Sequence, residues 1–122
     1  MMNKSYETFK KLSLETLQKR QQNIRTLKLR YPTRIPTIVY TKNNAIPITE
    51  KSKFLVEDKV TVAEFIHVLR KYVKLQQQES IFLFTEDNTI PASSSLLSNV
   101  YREHKNEDGF LYIEYNIENT FG

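Results

Sequence analysis

Residues 61–69 read Thr61-Val62-Ala63-Glu64-Phe65-Ile66-His67-Val68-Leu69. Thr61 and Glu64 stand at capping-box spacing. In that arrangement the threonine hydroxyl accepts from the backbone three residues on, and the glutamate reaches back to the threonine N–H. Behind this start, Val62, Phe65, Ile66, Leu69 and Val73 recur at i, i+3, i+4, i+7 and i+11, which makes one helix face apolar. Such a face needs a second layer to cover it, and the sequence on either side offers strands.

Upstream, Arg34-Ile35-Pro36-Thr37-Ile38-Val39-Tyr40 is a β-branched run, Lys42-Asn43-Asn44 a turn, and Lys53-Phe54-Leu55-Val56 a second strand. Pro36 and Pro47 belong at a strand start, an edge or a loop. Downstream, Ile81-Phe82-Leu83-Phe84 is too apolar to be solvated on both faces and makes a third strand. The serines at 93–95 are placed to cap a short helix carrying Leu96, Leu97, Val100 and Tyr101, and Gly109 opens the last strand. The order β-β-α-β-α-β predicts an α+β, ubiquitin-like β-grasp, with a four-stranded mixed sheet crossed by one helix.

Two helices are expected before this grasp. The stretch from Tyr6 to Arg30 has no Gly or Pro and places Leu17, Ile24 and Leu27 near helical spacing; Ser13 marks a break within it, and Pro32 ends it. The resulting single domain, 1–122, divides into a helical extension (1–31), a β-grasp core (32–115) and a flexible tail (116–122). Through Arg34 there are nine Lys/Arg against Glu7 and Glu15, a balance of +7, whereas nine basic and twelve acidic residues follow, a balance of −3. The basic end suits an acidic protein or anionic lipid, or is a solvated helix face. Nucleic acid is not expected, because no binding motif accompanies the charge.

Cysteine is absent, which removes disulfides, a thiol nucleophile and a cysteine-ligated zinc site. The apolar runs are far too short for a membrane span, and the amino terminus lacks the apolar core of a secretory signal, so a cytosolic protein is expected. His67 and His104 lie far apart, and Asp87, Glu107 and Asp108 fall in turns, where carboxylates serve local hydrogen bonds. No phosphate loop, H-E-x-x-H or G-x-S-x-G is present. The expectation is no enzyme, no metal and no cofactor. Two features remain. Lys53–Val56 alternates, so Phe54 and Val56 face one way and Lys53 and Leu55 the other; at a sheet edge this strand would accept a peptide as an added strand. The chain also closes on Glu118-Asn119-Thr120-Phe121-Gly122, a polar tail with a terminal glycine.

Several strings together resemble the autophagy ubiquitin-like modifiers of the GABARAP and light-chain-3 family. They are Arg34-Ile35-Pro36, Lys53-Phe54-Leu55-Val56, Thr61-Val62-Ala63-Glu64-Phe65 and Ile81-Phe82-Leu83-Phe84, then residues 103–112 (EHKNEDGFLY) and the closing ENTFG. Their order and spacing match from Arg30 onward. The resemblance implies a β-grasp preceded by two helices, and conjugation through Gly122 to phosphatidylethanolamine on the autophagosome membrane. It also implies a cysteine protease that processes the C-terminus, activating and conjugating enzymes, and cargo receptors as partners. Phe121, Phe82 and Phe84 would be recognised by the protease and activating enzyme. Asn23, Leu27, Pro36, Lys53, Leu55 and Phe110 would line a pocket for the aromatic residue of a receptor's aromatic-x-x-aliphatic motif. Phe54, Val56, Val60, Phe65 and Val68 would line one for its aliphatic residue, and Arg34 would meet acidic flanking residues. The chain departs from the family at Asn23, often acidic in relatives, at Phe54, often tyrosine, and at Glu57, often proline. Its Asn43-Asn44 turn is one residue shorter. Two other readings stay open: an unconjugated β-grasp adaptor for acidic partners such as microtubules, and a modifier joined to a protein lysine.

Overall fold

The computed structural model describes residues 15–119. Its elements are α1 (Leu17–Arg30), β1 (Arg34–Tyr40), β2 (Lys53–Glu57), α2 (Val62–Leu69), β3 (Glu79–Thr85), α3 (Leu97–His104) and β4 (Leu111–Asn119). The strands form one mixed sheet in the order β2-β1-β4-β3, with β1 antiparallel to β2, β4 parallel to β1, and β3 antiparallel to β4. This is the expected grasp. Of the two expected N-terminal helices, α1 is the second; the first, with the break at Ser13, lies outside the described residues.

The capping box of α2 is formed in both directions. Glu64 N donates to Thr61 Oγ1 at 3.1 Å, and Thr61 N donates to Glu64 Oε1 at 3.1 Å. Val62, Phe65 and Leu69 are buried beneath it. The helix ends at Leu69, earlier than the apolar period suggests. Tighter i+3 bonds take over there, from Lys71 N to Val68 O and from Tyr72 N to Leu69 O. Val73 is still fully buried, so the period marks the core accurately beyond the helix itself.

The serines at 93–95 do not cap α3. Its N-cap is Leu96, with no side-chain bond. Instead the Ser95 and Ser93 carbonyls accept from Val62 N at 2.9 Å and Ala63 N at 3.0 Å, filling the open first turn of α2. In return, Leu97 N donates to Val60 O at 2.7 Å and Ser98 N to Asp58 O at 3.3 Å, so the loop before each helix caps the other.

β1 is buried from Ile35 to Tyr40 because the sheet is covered on both sides. Ile35 and Val39 face α2 with Phe54, Leu83, Leu111, Ile113 and Tyr115, whereas Ile38 and Tyr40 face α1, packing with Ile24, Phe110 and Tyr112. The register carries this parity into β2, where Phe54 pairs with Thr37 and Val56 with Ile35, while Lys53, Leu55 and Glu57 pair with Ile38, Pro36 and Arg34. β4 corrects one expectation. The tail was expected to begin at residue 116, yet Asn116, Ile117, Glu118 and Asn119 pair with Phe82, Ile81, Ser80 and Glu79 and belong to the sheet. Residues 120–122 lie outside the described residues.

Gly109 precedes β4 in the turn rather than opening it, at φ +94°, and a Cβ there would meet Ile24 Cγ2 at 2.7 Å. Both backbone angle and space require glycine. Gly109→Ala is expected to lower stability by about 2 kcal/mol, from the left-handed backbone and the displaced Ile24 together. Urea denaturation checks this; a loss within about 0.5 kcal/mol, the range of neutral surface changes, would mean that α1 yields freely at this point.

Candidate functional site: a groove between the N-terminal helix and the sheet edge

The parity of β1 and β2 puts Arg34, Pro36, Lys53 and Leu55 on the face that α1 covers. On α1, Asn23, Thr26 and Leu27 stand at i, i+3 and i+4, one above another on the facing side. Between the helix and the strands is a cavity of about 640 Å³, whose wall is completed by Phe110. Asn23, Leu27, Pro36, Lys53, Leu55 and Phe110, the six residues expected around an aromatic side chain, all line it, and so does Arg34. Thr26, Thr37, Lys51 and Glu15 line it too and were not anticipated.

The lining is apolar at the base and basic at the rim. Pro36 and Phe110 are buried, whereas Arg34, Lys51 and Lys53 are exposed. Lys51 Nζ lies 4.8 Å from the Phe54 ring centroid and 5.7 Å from that of Tyr72, so its charge is held over two rings. Arg34 Nε lies 3.2 Å from Glu57 Oε1, its cross-strand neighbour. β2 is an edge strand with β1 as its one strand partner among the described residues, so its outer backbone is open to an added strand.

The expected aliphatic set lies on the other face of the sheet, toward α2. Phe54 and Phe65 are core residues whose rings meet edge-on at 5.5 Å and 89°. Phe65 is 1% exposed, so it supplies packing beneath any such pocket and no open surface of its own. Val56, Val60 and Val68 are half-buried against the same core. Phe54 also reaches the cavity lining, which makes it the residue shared between the two sets. Phe82 and Phe84 are half-buried at the far side of the sheet, opposite Asn116 and Glu114. Phe121 and Gly122 lie outside the described residues.

One group that reads in the sequence as local turn chemistry spans the fold. Asp108 is 1% exposed, and its Oδ2 accepts from Arg20 Nε of α1 at 2.9 Å and from Tyr112 OH at 2.5 Å. Its Oδ1 accepts from Phe110 N at 2.8 Å. Gln21 Nε2 adds a bond to Glu107 O at 3.0 Å, and Tyr101 OH donates to Gly109 O at 2.7 Å. Thus the carboxylate that anchors α1 also holds the backbone of Phe110, one wall of the cavity. Arg20 and Asp108 are separated by 88 residues, and no spacing rule connects them. Burial, and next the bond to Asp108, push the Tyr112 hydroxyl well above the ordinary tyrosine pKa.

The remaining titratable groups are arranged otherwise. His67 is exposed at the end of α2, and His104 Nδ1 lies 3.2 Å from Asp87 Oδ2. The Thr85 hydroxyl donates to Asp87 and, as the largest cause, holds its carboxyl below the usual range. Among the described residues no three His, Cys, Asp or Glu side chains gather as metal ligands, and no helix is long and apolar enough to cross a membrane.

The family described as "Autophagy protein Atg8 ubiquitin like" matches residues 19–122. The chain is 43% identical over 108 residues to Autophagy-related protein 8 of Mycosarcoma maydis, covering 88% of this chain and 91% of that protein. It is 42% identical over 107 residues to Autophagy-related protein 8d of Arabidopsis thaliana, covering 87% and 88%. The crystal structure of Trypanosoma brucei ATG8 superposes with a TM-score of 0.79 at 37% identity, over 90% of this chain and 95% of that one.

The raised Tyr112 pKa has a pH consequence. The folded state favours the neutral phenol, so its contribution is fully present below the unfolded value of 10.0 and is lost as pH rises above it. Urea denaturation in a series from neutral pH to above pH 10 should show wild-type stability falling at the alkaline end. Tyr112→Phe should be less stable at neutral pH and flatter in the alkaline range. Equal alkaline slopes for both proteins would place the effect elsewhere.

Proposed function

The chain belongs to the Atg8 family of autophagy ubiquitin-like proteins, and from that premise we propose that it is a membrane-conjugated modifier and a docking platform for receptor peptides. The observation that carries the docking half is the cavity between α1 and the β1–β2 edge. It gathers eight of the expected contact residues, from four separate stretches of chain, around an apolar base with a basic rim. An extended peptide would add to the open side of β2, seat its aromatic residue between α1 and Phe110, and carry its aliphatic residue toward Val56, Val60 and Val68. Main-chain bonds to β2 would supply affinity and the two side-chain seats specificity. Acidic residues beside the anchor would meet the basic rim.

The conjugation half concerns the glycine carboxylate. A carboxylate is a poor electrophile in water, so it must be activated, first as an acyl-adenylate and then as thioesters on the activating and conjugating enzymes. The amine of phosphatidylethanolamine attacks the last thioester, forming an amide and releasing the enzyme's thiol. Gly122 lacks a Cβ, which lets the terminus thread a narrow catalytic channel, and Phe121 gives the protease and activating enzyme a side chain to hold. The cysteine nucleophiles belong to the partner enzymes, so this protein is a substrate and not an enzyme. It would be cytoplasmic until lipidated and on the phagophore or autophagosome membrane afterwards.

Incubation with the cognate activating and conjugating enzymes, ATP and liposomes containing phosphatidylethanolamine tests the conjugation half. Wild type should form a lipid-linked species and the Gly122 deletion none. Transfer to protein lysines in place of lipid would support the lysine-modifier reading, and no transfer at all an unconjugated adaptor. For docking, Lys53→Ala with Leu55→Ala should weaken a Trp-x-x-Leu peptide by about 2 kcal/mol in calorimetry, the loss typical of a buried anchor's seat, and should leave lipidation intact. Unchanged affinity with unchanged circular dichroism would remove the groove from the reading.

A further inference from the structure

Arg34 stands at the rim of the cavity but is not unoccupied. Its Nε lies 3.2 Å from Glu57 Oε1, and its guanidinium lies 5.9 Å from the centroid of the Tyr31 ring. Glu57 is the residue directly opposite Arg34 in the β1–β2 register, so the two side chains leave the same face of the sheet. Thr33 Oγ1 donates weakly to the other carboxylate oxygen, Oε2, at 3.4 Å. Of the basic side chains that line the cavity, Lys51 lies over the Phe54 and Tyr72 rings, and among the described residues Arg34 is the one in a carboxylate pair.

We propose that Glu57 is an internal competitor for Arg34, and therefore the residue that sets how strongly this protein prefers acidic residues next to a peptide's aromatic anchor. The proposal rests on the docking function above and deepens it. An aromatic residue seated in the cavity brings its neighbours in the peptide to the rim, where Arg34 stands. A carboxylate there competes with a carboxylate already present. Arg34 and Glu57 side chains are 45% and 53% exposed, so water screens the pair and the exchange is easy. It is nevertheless an exchange of one ion pair for another, with little net gain. A peptide with neutral flanks leaves the pair intact and loses nothing. Glu57 thus narrows the difference between acidic and neutral flanks without touching the anchor's seat, since it does not line the cavity.

The test uses two peptides with a common Trp-x-x-Leu core, preceded by Asp-Asp in one and Asn-Asn in the other. Affinities are measured for the whole chain as wild type, Glu57→Gln, Arg34→Gln and the double variant. Glu57→Gln keeps the shape of the side chain and its capacity to accept from Thr33. It should raise the preference for the acidic peptide about two- to five-fold over wild type, the scale of an exposed ion pair, with the neutral peptide unchanged. Added salt should shrink the gain, because the new contact is screened. In the Arg34→Gln background the Glu57 substitution should produce no gain. If Glu57→Gln strengthens both peptides alike, or strengthens the acidic one equally without Arg34, the effect is a general field and the proposal is overturned while the groove stands. If neither peptide binds any form, the groove itself fails, and this proposal with it.

Discussion

The buried contact between Arg20 and Asp108 ties α1 to the β-grasp, and the candidate site exists only because α1 is tied there. Asp108 is almost wholly removed from water, and it accepts from a guanidinium, a phenol and a backbone N–H at once. A buried carboxylate is tolerated only with this degree of hydrogen bonding, and removal of Arg20 leaves its charge without a cationic partner. Ile24 is the one buried apolar side chain that α1 contributes to this face of the sheet, with Leu27 partly covered. Polar bonds to Asp108 and Glu107 therefore fix the position of α1, and Gly109 permits the close approach by giving Ile24 the space that a Cβ would fill.

The sheet separates stability from recognition by the alternation of its strands. The face toward α2 and α3 holds the larger core, closed at both helix starts by the reciprocal carbonyl caps from residues 93–95 and 58–60. The face toward α1 is only partly filled. Near Ile38, Tyr40 and Tyr112 it packs tightly, and toward the β2 edge it opens into the cavity. Since β2 has alternate residues on the two faces, Phe54 and Val56 stabilise the core while Lys53 and Leu55 line the groove and Glu57 stands beside it on the same face. Substitutions at neighbouring positions of one strand thus act on different properties of the molecule.

Charge is distributed to match. The cavity carries Arg34, Lys51 and Lys53 against Glu15, over a base of proline, leucine and phenylalanine. Lys51 is held over aromatic rings, which stabilises the cation without neutralising it. Arg34 is paired with the Glu57 carboxylate, which offsets its charge.

What the amino-acid order determined by itself was local or periodic. The Thr61–Glu64 box, the apolar period of residues 62–73, the alternation in Lys53–Val56 and the β-β-α-β-α-β order need only neighbouring residues, and the structure agrees with them. The candidate groove was legible through family resemblance, because residues of four separate stretches converge on it and no spacing within one stretch reports that. Local reasoning went astray where a backbone found a distant partner. The serines at 93–95 serve α2 through their carbonyls rather than α3 through their hydroxyls, and residues 116–119 are strand because β3 lies alongside to pair with them. Asp108 sits in an Asn-Glu-Asp-Gly turn and does bond to Phe110 N nearby, so its local role was visible. Its pairing with Arg20 and its burial were decided by the tertiary structure, since the two residues lie on segments far apart in the chain and meet only where α1 crosses the sheet.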